Sequence, residues 1–253
     1  MSAIIVSPWR LLLSASIGQK FLVAAAGAFL TIFALGHTLG NLQIFLGPDA
    51  INRYAWHLHS LPYGLLWLIR AVVLAAILVH VALAAKLHAQ NSRVQARRYR
   101  KERYLSATTA SRSMMGTGAV ILAFLIFHIL HFTTRDIADF SDLATYRLPG
   151  VDEPVMNVYA MMYLGFSNIW VSAFYILACG LLALHLSHGV ASAFQSAGWR
   201  NRLWRKRLER FAAACAAFVF LGLSSIPLSI LADARAGVPI FDRSSFAALL
   251  PAQ

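Results

Sequence analysis

Apolar residues in this chain come in long, nearly uncharged runs separated by short polar connections. Five runs reach the roughly 20 residues that a helix needs to cross a bilayer core about 30 Å thick. They extend from Ile17 to Phe45, Tyr63 to Lys86, Ser113 to Phe132, Asn157 to Ala191 and Phe211 to Leu231. The fourth exceeds one span and predicts a tilted or protruding helix. Pro227 near the end of the fifth predicts a kink or a frayed end, which membrane helices tolerate when neighbours cover the freed backbone groups. The pattern predicts an all-α protein: an integral membrane bundle of five transmembrane helices forming a single domain over residues 1–253.

The connections alternate in character. Between the second and third runs lie Lys86, Arg93, Arg97, Arg98, Arg100, Lys101, Arg103 and Arg112, and between the fourth and fifth lie Arg200, Arg202, Arg205, Lys206, Arg207 and Arg210. The first connection has Arg53 alone, while the third is mixed, with Asp136, Asp139, Asp142, Asp152 and Glu153. Basic loops stay in the cytoplasm, which predicts a cytoplasmic N-terminus and a C-terminus outside. Residues Met1 to Arg10 lack the small-residue exit site of a cleavable signal peptide, so the first run is expected to be retained.

Composition agrees: 59% of the residues are hydrophobic and 13% charged, about half the charge of a typical soluble domain. The net charge of +12 would suggest nucleic acid in a soluble protein. Confined to short loops, it reads as topology and contact with anionic lipid, with a docking surface for a cytoplasmic partner as a further use. Cys179 and Cys215 both sit inside apolar runs and form neither a disulfide framework nor a thiolate metal site.

The histidines change the picture. Of nine, His37, His80, His128 and His185 fall one to each of the first four runs. An imidazole in hydrocarbon is costly without a partner, so each is a functional candidate. At about 1.5 Å per helical residue, His37 lies roughly 12 Å and His128 roughly 6–10 Å from the outer face. On the same scale, His80 and His185 lie about 25 Å and about 24 Å down, which makes two layers more than about 10 Å apart. Two neutral imidazoles facing each other across a bundle form the ligand set of a six-coordinate haem b. No Cys-x-x-Cys-His motif is present for covalent haem attachment. Zinc is disfavoured because each layer offers two histidines and no cysteine or carboxylate. A dinuclear carboxylate centre is excluded because the five runs hold no acid. Gly36 and Gly40 beside His37, Ala82 and Ala84 after His80, and Gly189 after His188 would leave room for a porphyrin or would serve close helix packing.

The neighbours stay open at this level. His131 and His188 lie three residues beyond His128 and His185 on roughly the same face, as alternative ligands, propionate partners or interface residues. His57 and His59 in the outer connection, and His88 at the inner end of the second run, read as solvated or headgroup-level residues.

Over nearly the whole chain, from Ser16 to about Phe218, the sequence resembles the diheme cytochrome b subunit of succinate:quinone oxidoreductases with a single large anchor. The carrying segments are SIGQK, GHTLGNLQIFLGPDAINRYA around His37, LHSLPYGLLWLIR, LVHVALAAKLHAQNSRVQARRY after His80, FHILHF at His128 and LHLSHGVASAFQSAGW at His185. The resemblance implies that His37, His80, His128 and His185 are axial ligands of two haem b groups, the outer held by His37 with His128 and the inner by His80 with His185. It implies an iron–sulfur subunit and a flavoprotein subunit at the cytoplasmic face, quinone as substrate, and a bacterial inner membrane. Succinate chemistry would belong to the partners, and the reverse direction would be fumarate reduction. Some diheme relatives carry a transmembrane acid two positions before the fourth-helix ligand; here that position is Ala183.

Arg70, about seven residues into the second run, is expected to meet an outer haem propionate or a quinone carbonyl, the alternative being snorkelling to headgroups. Ser16, Gln19, Lys20 and Arg112 are expected to serve the inner propionates. Two other classes compete. One is the haem-b membrane subunit of another respiratory dehydrogenase, such as a hydrogenase or formate dehydrogenase. The other is a haem-free transporter or scaffold, for which repeats or helices broken at midplane would be expected.

Overall fold

The computed structural model describes residues 15–98, 109–138, 140, 143, 145–199, 201–237 and 240–244. Among them the chain is helical: α1 (Ser16–Leu42), α2 (Pro48–His59), α3 (Leu65–Arg98), α4 (Thr109–His128), α5 (Val158–Ser167), α6 (Ile169–Ser196) and α7 (Arg205–Ala236). Five segments are long and apolar enough to cross a membrane: Ser16–Leu46, Pro62–Asn91, Ser113–Thr133, Ile169–Ser196 and Arg205–Ala236. Ile32, Trp67, Leu78, Leu177 and Leu221 on these helices are each more than half exposed. Such side chains would be an association hazard in water and are at home against lipid.

Three expectations need correcting. The fourth run is not one tilted helix but two. Asn168 is extended (ψ 120°) between α5 and α6, and its Oδ1 accepts from the backbone N–H groups of Trp170 at 2.9 Å and Val171 at 3.4 Å. A side chain that caps a new helix competes with continuation of the old one. The fifth helix does not fray at Pro227 but runs past the expected end near Leu231 to Ala236. It therefore contains Asp233, so the spans are not free of acids. The first connection, read as a loop, folds as α2. Its start has proline at the first helical position and Asp49 in the first turn, where a missing N–H costs nothing and a negative charge meets the positive end of the helix.

The described residues fall into two compact units, one within Met1–Ala34, Ile69–Ala119 and Ala183–Ala216, the other within Leu35–Leu68, Val120–Leu182 and Ala217–Gln253. In the first unit, α6 closes on Gly198 (φ 76°), where Trp199 N–H reaches the Phe194 carbonyl at 3.0 Å and Gly198 N–H the Gln195 carbonyl at 3.1 Å. This is a left-handed helix stop that a side chain would strain. Arg205, Lys206, Arg207 and Arg210 follow, exposed, in the first turns of α7.

The second unit holds a dense cluster in which Ile44, Ile51, Tyr159, Tyr163, Phe166 and Tyr175 pack with Ile226, Ile230 and Phe241. Close approaches build it. A Cβ on Gly40 would stand 2.6 Å from the Tyr54 hydroxyl on α2, and one on Gly222 would stand 2.5 Å from Thr38 Cγ2 on α1. Asn52 and Asn157, both fully buried, pin α2 to α5. Asn52 Nδ2 donates to Asn157 Oδ1 at 3.3 Å, and Tyr159 N–H donates to Asn52 Oδ1 at 3.1 Å. Outside the spans, the Tyr146 hydroxyl donates to Asp49 at 2.6 Å. Burial and then that carboxylate push the Tyr146 phenol up to about 12, so this bond is intact at any ordinary pH.

Asp233, 0% exposed, ties the C-terminal segment to the bundle. Its carboxylate accepts from the Tyr163 hydroxyl at 2.5 Å and from the Ile240 and Phe241 N–H groups at 2.8 and 3.1 Å. Arg243 Nε lies 3.6 Å away. Asp233→Ala strands two buried donors, the Tyr163 hydroxyl and the Phe241 N–H, and the part-buried Ile240 N–H, and should destabilise the fold by about 3 kcal/mol or more. Arg243→Ala, at a partly exposed ion pair, should cost no more than about 1 kcal/mol. Thermal unfolding in detergent checks both, and equal midpoints for the two variants would refute this role of Asp233.

Candidate functional site

In the first unit, His80 on α3 faces His185 on α6, with ring centres 6.2 Å apart and planes at 69°. His80 Nδ1 lies 3.1 Å from the Val23 carbonyl on α1. A carbonyl only accepts, so Nδ1 carries the proton and the lone pair is left on Nε2. His185 Nδ1 lies 3.3 Å from Thr117 Oγ1 on α4. That hydroxyl gives its own hydrogen to the Ser113 or Met114 carbonyl at 3.0 and 3.2 Å, so it accepts from His185 and again leaves Nε2 with the lone pair. Two glycines make room for the rings. A Cβ on Gly27 would stand 3.1 Å from His80 Cε1, and one on Gly118 would stand 3.5 Å from His185 Cε1.

In the second unit, His37 on α1 faces His128 on α4, with ring centres 5.8 Å apart and planes at 85°. His128 ends α4, and the next residues, Ile129–Thr133, form a π-helical turn. Such turns re-aim side chains, often at functional positions. Here both His128 Nδ1, at 3.3 Å, and His131 Nδ1, at 3.0 Å, address the Tyr175 hydroxyl on α6. Asn41 Nδ2 donates to the His37 carbonyl at 2.8 Å and lies 3.2 Å from His37 Nε2. A metal at Nε2 would replace only the second of these contacts.

This spacing fits a shared ion. Two metal–nitrogen bonds of about 2.0 Å, plus about 1.1 Å from each bonded nitrogen to its ring centre, place two imidazoles on opposite sides of an ion about 6.2 Å apart. Fixing Nδ1 with a carbonyl or hydroxyl is how proteins select the tautomer and orientation of a ligating histidine. Among the described residues no three His, Cys, Asp or Glu side chains gather around one point. The four imidazoles lie in two pairs.

The other expected residues are placed as follows. His131 is buried on Tyr175. His188 Nε2 lies 3.1 Å from the Ser192 hydroxyl. Arg70 is half-buried on α3; at the start of α1, Ser16 and Lys20 are exposed and Gln19 is buried. The Arg112 side chain, like Arg93, Arg97, Arg98, Arg100, Lys101, Arg103, Arg200, Asp139 and Asp142, lies outside the described residues. His57 packs on Trp56. Of the small residues expected near the histidines, Gly40 serves helix packing, and a Cβ on Gly36 would meet nothing within 4 Å. The residues that sequence reasoning passed over are Gly27, Gly118, Thr117, Asn41 and Tyr175. Comparison of the chain with family models, with curated proteins and with solved structures finds no match.

Proposed function

We propose that this multi-pass membrane protein is a two-haem cytochrome b that carries electrons from a soluble iron–sulfur partner to a quinone. Its role is that of the membrane anchor of a succinate:quinone oxidoreductase in a bacterial inner membrane. The observation that carries this reading is the pairing of four imidazoles, 5.8 and 6.2 Å between ring centres, on four successive membrane helices. Bound haem b supplies reversible one-electron transfer. The chain's own residues do the rest. His80 and His185 are aimed by Val23 and Thr117, and His128 by Tyr175. Arg70, ten residues before His80, supplies a cation for a quinone carbonyl or headgroups, and Ser16, Gln19, Lys20 and Arg112 serve the inner side.

The basic start of α7 supports a cytoplasmic docking face. Four cations in its first turns stand where the helix end is already positive, an arrangement suited to an acidic partner or anionic lipid. The proposal places that face, with the N-terminus, in the cytoplasm, and the C-terminus outside. The iron–sulfur subunit and a flavoprotein subunit would dock there and would carry the dicarboxylate chemistry.

The test uses native membranes. Succinate should reduce the b haem of this chain, and an added quinone should reoxidise it. Reduction by hydrogen or formate but not by succinate would assign it to another dehydrogenase.

A further inference from the structure

We infer that a groove beside the His37–His128 pair, within the second unit, binds the head of a flat ring bearing carbonyl acceptors, a quinone, through His131 and Asn168. The inference rests on the quinone-linked reading above for the identity of the ring.

The groove has a volume of about 690 Å³ and is lined by Ile126, Phe127, Leu130, His131, Phe140 and Asn168 among other residues. Ile126 and Ile137, also lining it, are 58% and 47% exposed, so its mouth is apolar and suits a guest that arrives through lipid. Phe127 and Phe140 offer ring surface. Two polar residues, the buried His131 and the exposed Asn168, line this apolar setting. Asn168 spends its Oδ1 on capping α6, which leaves the Nδ2 hydrogens to donate. His131, 4% exposed, has its Nδ1 on Tyr175. Tyr175 has one hydrogen and two nearby imidazole nitrogens. With His128 donating from Nδ1, as a ligand bound through Nε2 must, the Tyr175 hydroxyl accepts there and donates to His131 Nδ1. His131 Nε2 then carries the second hydrogen, and His131 is among the residues lining the groove.

Two N–H donors in an apolar slot with aromatic walls select a guest with carbonyl oxygens on a planar apolar body. A guest with donors alone would leave the buried His131 donor unanswered, which is costly, while Asn168, itself exposed, offers its donor at the mouth. His128 and His131, three residues apart at a π-helical turn, both reach this one hydroxyl. The site is thus joined by hydrogen bonds, through Tyr175, to the back of a proposed iron ligand.

The test is binding of decylbenzoquinone to the full chain in nanodiscs, followed by tryptophan quenching, with haem content measured on every sample. His131→Phe removes one donor. Asn168→Asp keeps the capping oxygen and removes the other. Each should weaken binding about tenfold, the value of one hydrogen bond, while His131→Gln, which can still donate, should recover part of the loss. An azido-benzoquinone should label residues 126–140 or 164–171. Unchanged affinity in both variants, labelling elsewhere, or no binding to the wild-type chain overturns the site, whatever the haem content. Binding with the expected sensitivity in a chain that holds no haem would support the site and overturn the cytochrome reading.

Discussion

Replacing any one of His37, His80, His128 and His185 by leucine removes one b haem and leaves the other. On the proposed reading each imidazole is one of the two protein ligands of its haem, and the pairs lie in separate compact units. The expected pattern is pairwise: His37→Leu and His128→Leu delete the same component of a redox titration, and His80→Leu and His185→Leu delete the other. In each case the amplitude of the α-band falls by about half, since one of two equal chromophores is lost. His188→Leu, whose ring sits against Ser192, keeps both components. A variant set in which His37 and His80 fell together, or in which His188→Leu matched His185→Leu, would contradict the pairing.

The second large effect is steric and runs against sequence proximity. Gly27 lies on the same helix as His37, yet a Cβ there would stand 3.1 Å from His80 Cε1. Gly27→Leu should therefore delete the component that His80→Leu deletes and spare the one that depends on His37. On α4 the tolerance is greater. A Cβ on Gly118 would stand 3.5 Å from the His185 ring, an ordinary contact, so Gly118→Ala should keep both haems while Gly118→Leu loses the His80–His185 component. Redox titration of the variants in membranes reads this directly. Loss of the His37-dependent component in Gly27→Leu would show that the glycine serves the other pair.

The spans were legible because hydrocarbon imposes one requirement, an uninterrupted apolar helix, and charge marks the joints. The pairing of the histidines was legible for a related reason: depth along a straight helix is proportional to residue number. What escaped depends on which residues meet across helices. Gly27, Gly118 and Tyr175 each stand ten residues before the histidine of their own helix and serve the pair to which that histidine does not belong. That shared offset was in the sequence, but only the packing gives it meaning. Local chemistry also overruled the hydropathy reading at two points. Asn168 breaks an apolar run by capping α6, and Pro48 with Asp49 starts a helix where a loop was expected. Asp233 escaped because an acid near the end of an apolar run looks like a boundary, whereas one partner, Tyr163, lies 70 residues away and the others, the Ile240 and Phe241 N–H groups, reach it only because the chain folds back after α7.

The account stands on each histidine pair gripping one iron porphyrin, and a haem count on the purified wild-type chain tests that most directly. A pyridine haemochrome assay, normalised to protein by amino-acid analysis, should give two haem b per chain, with an oxidised spectrum of low-spin, six-coordinate iron. A chain purified folded from haem-replete cells with no haem, or with one high-spin haem, would contradict it.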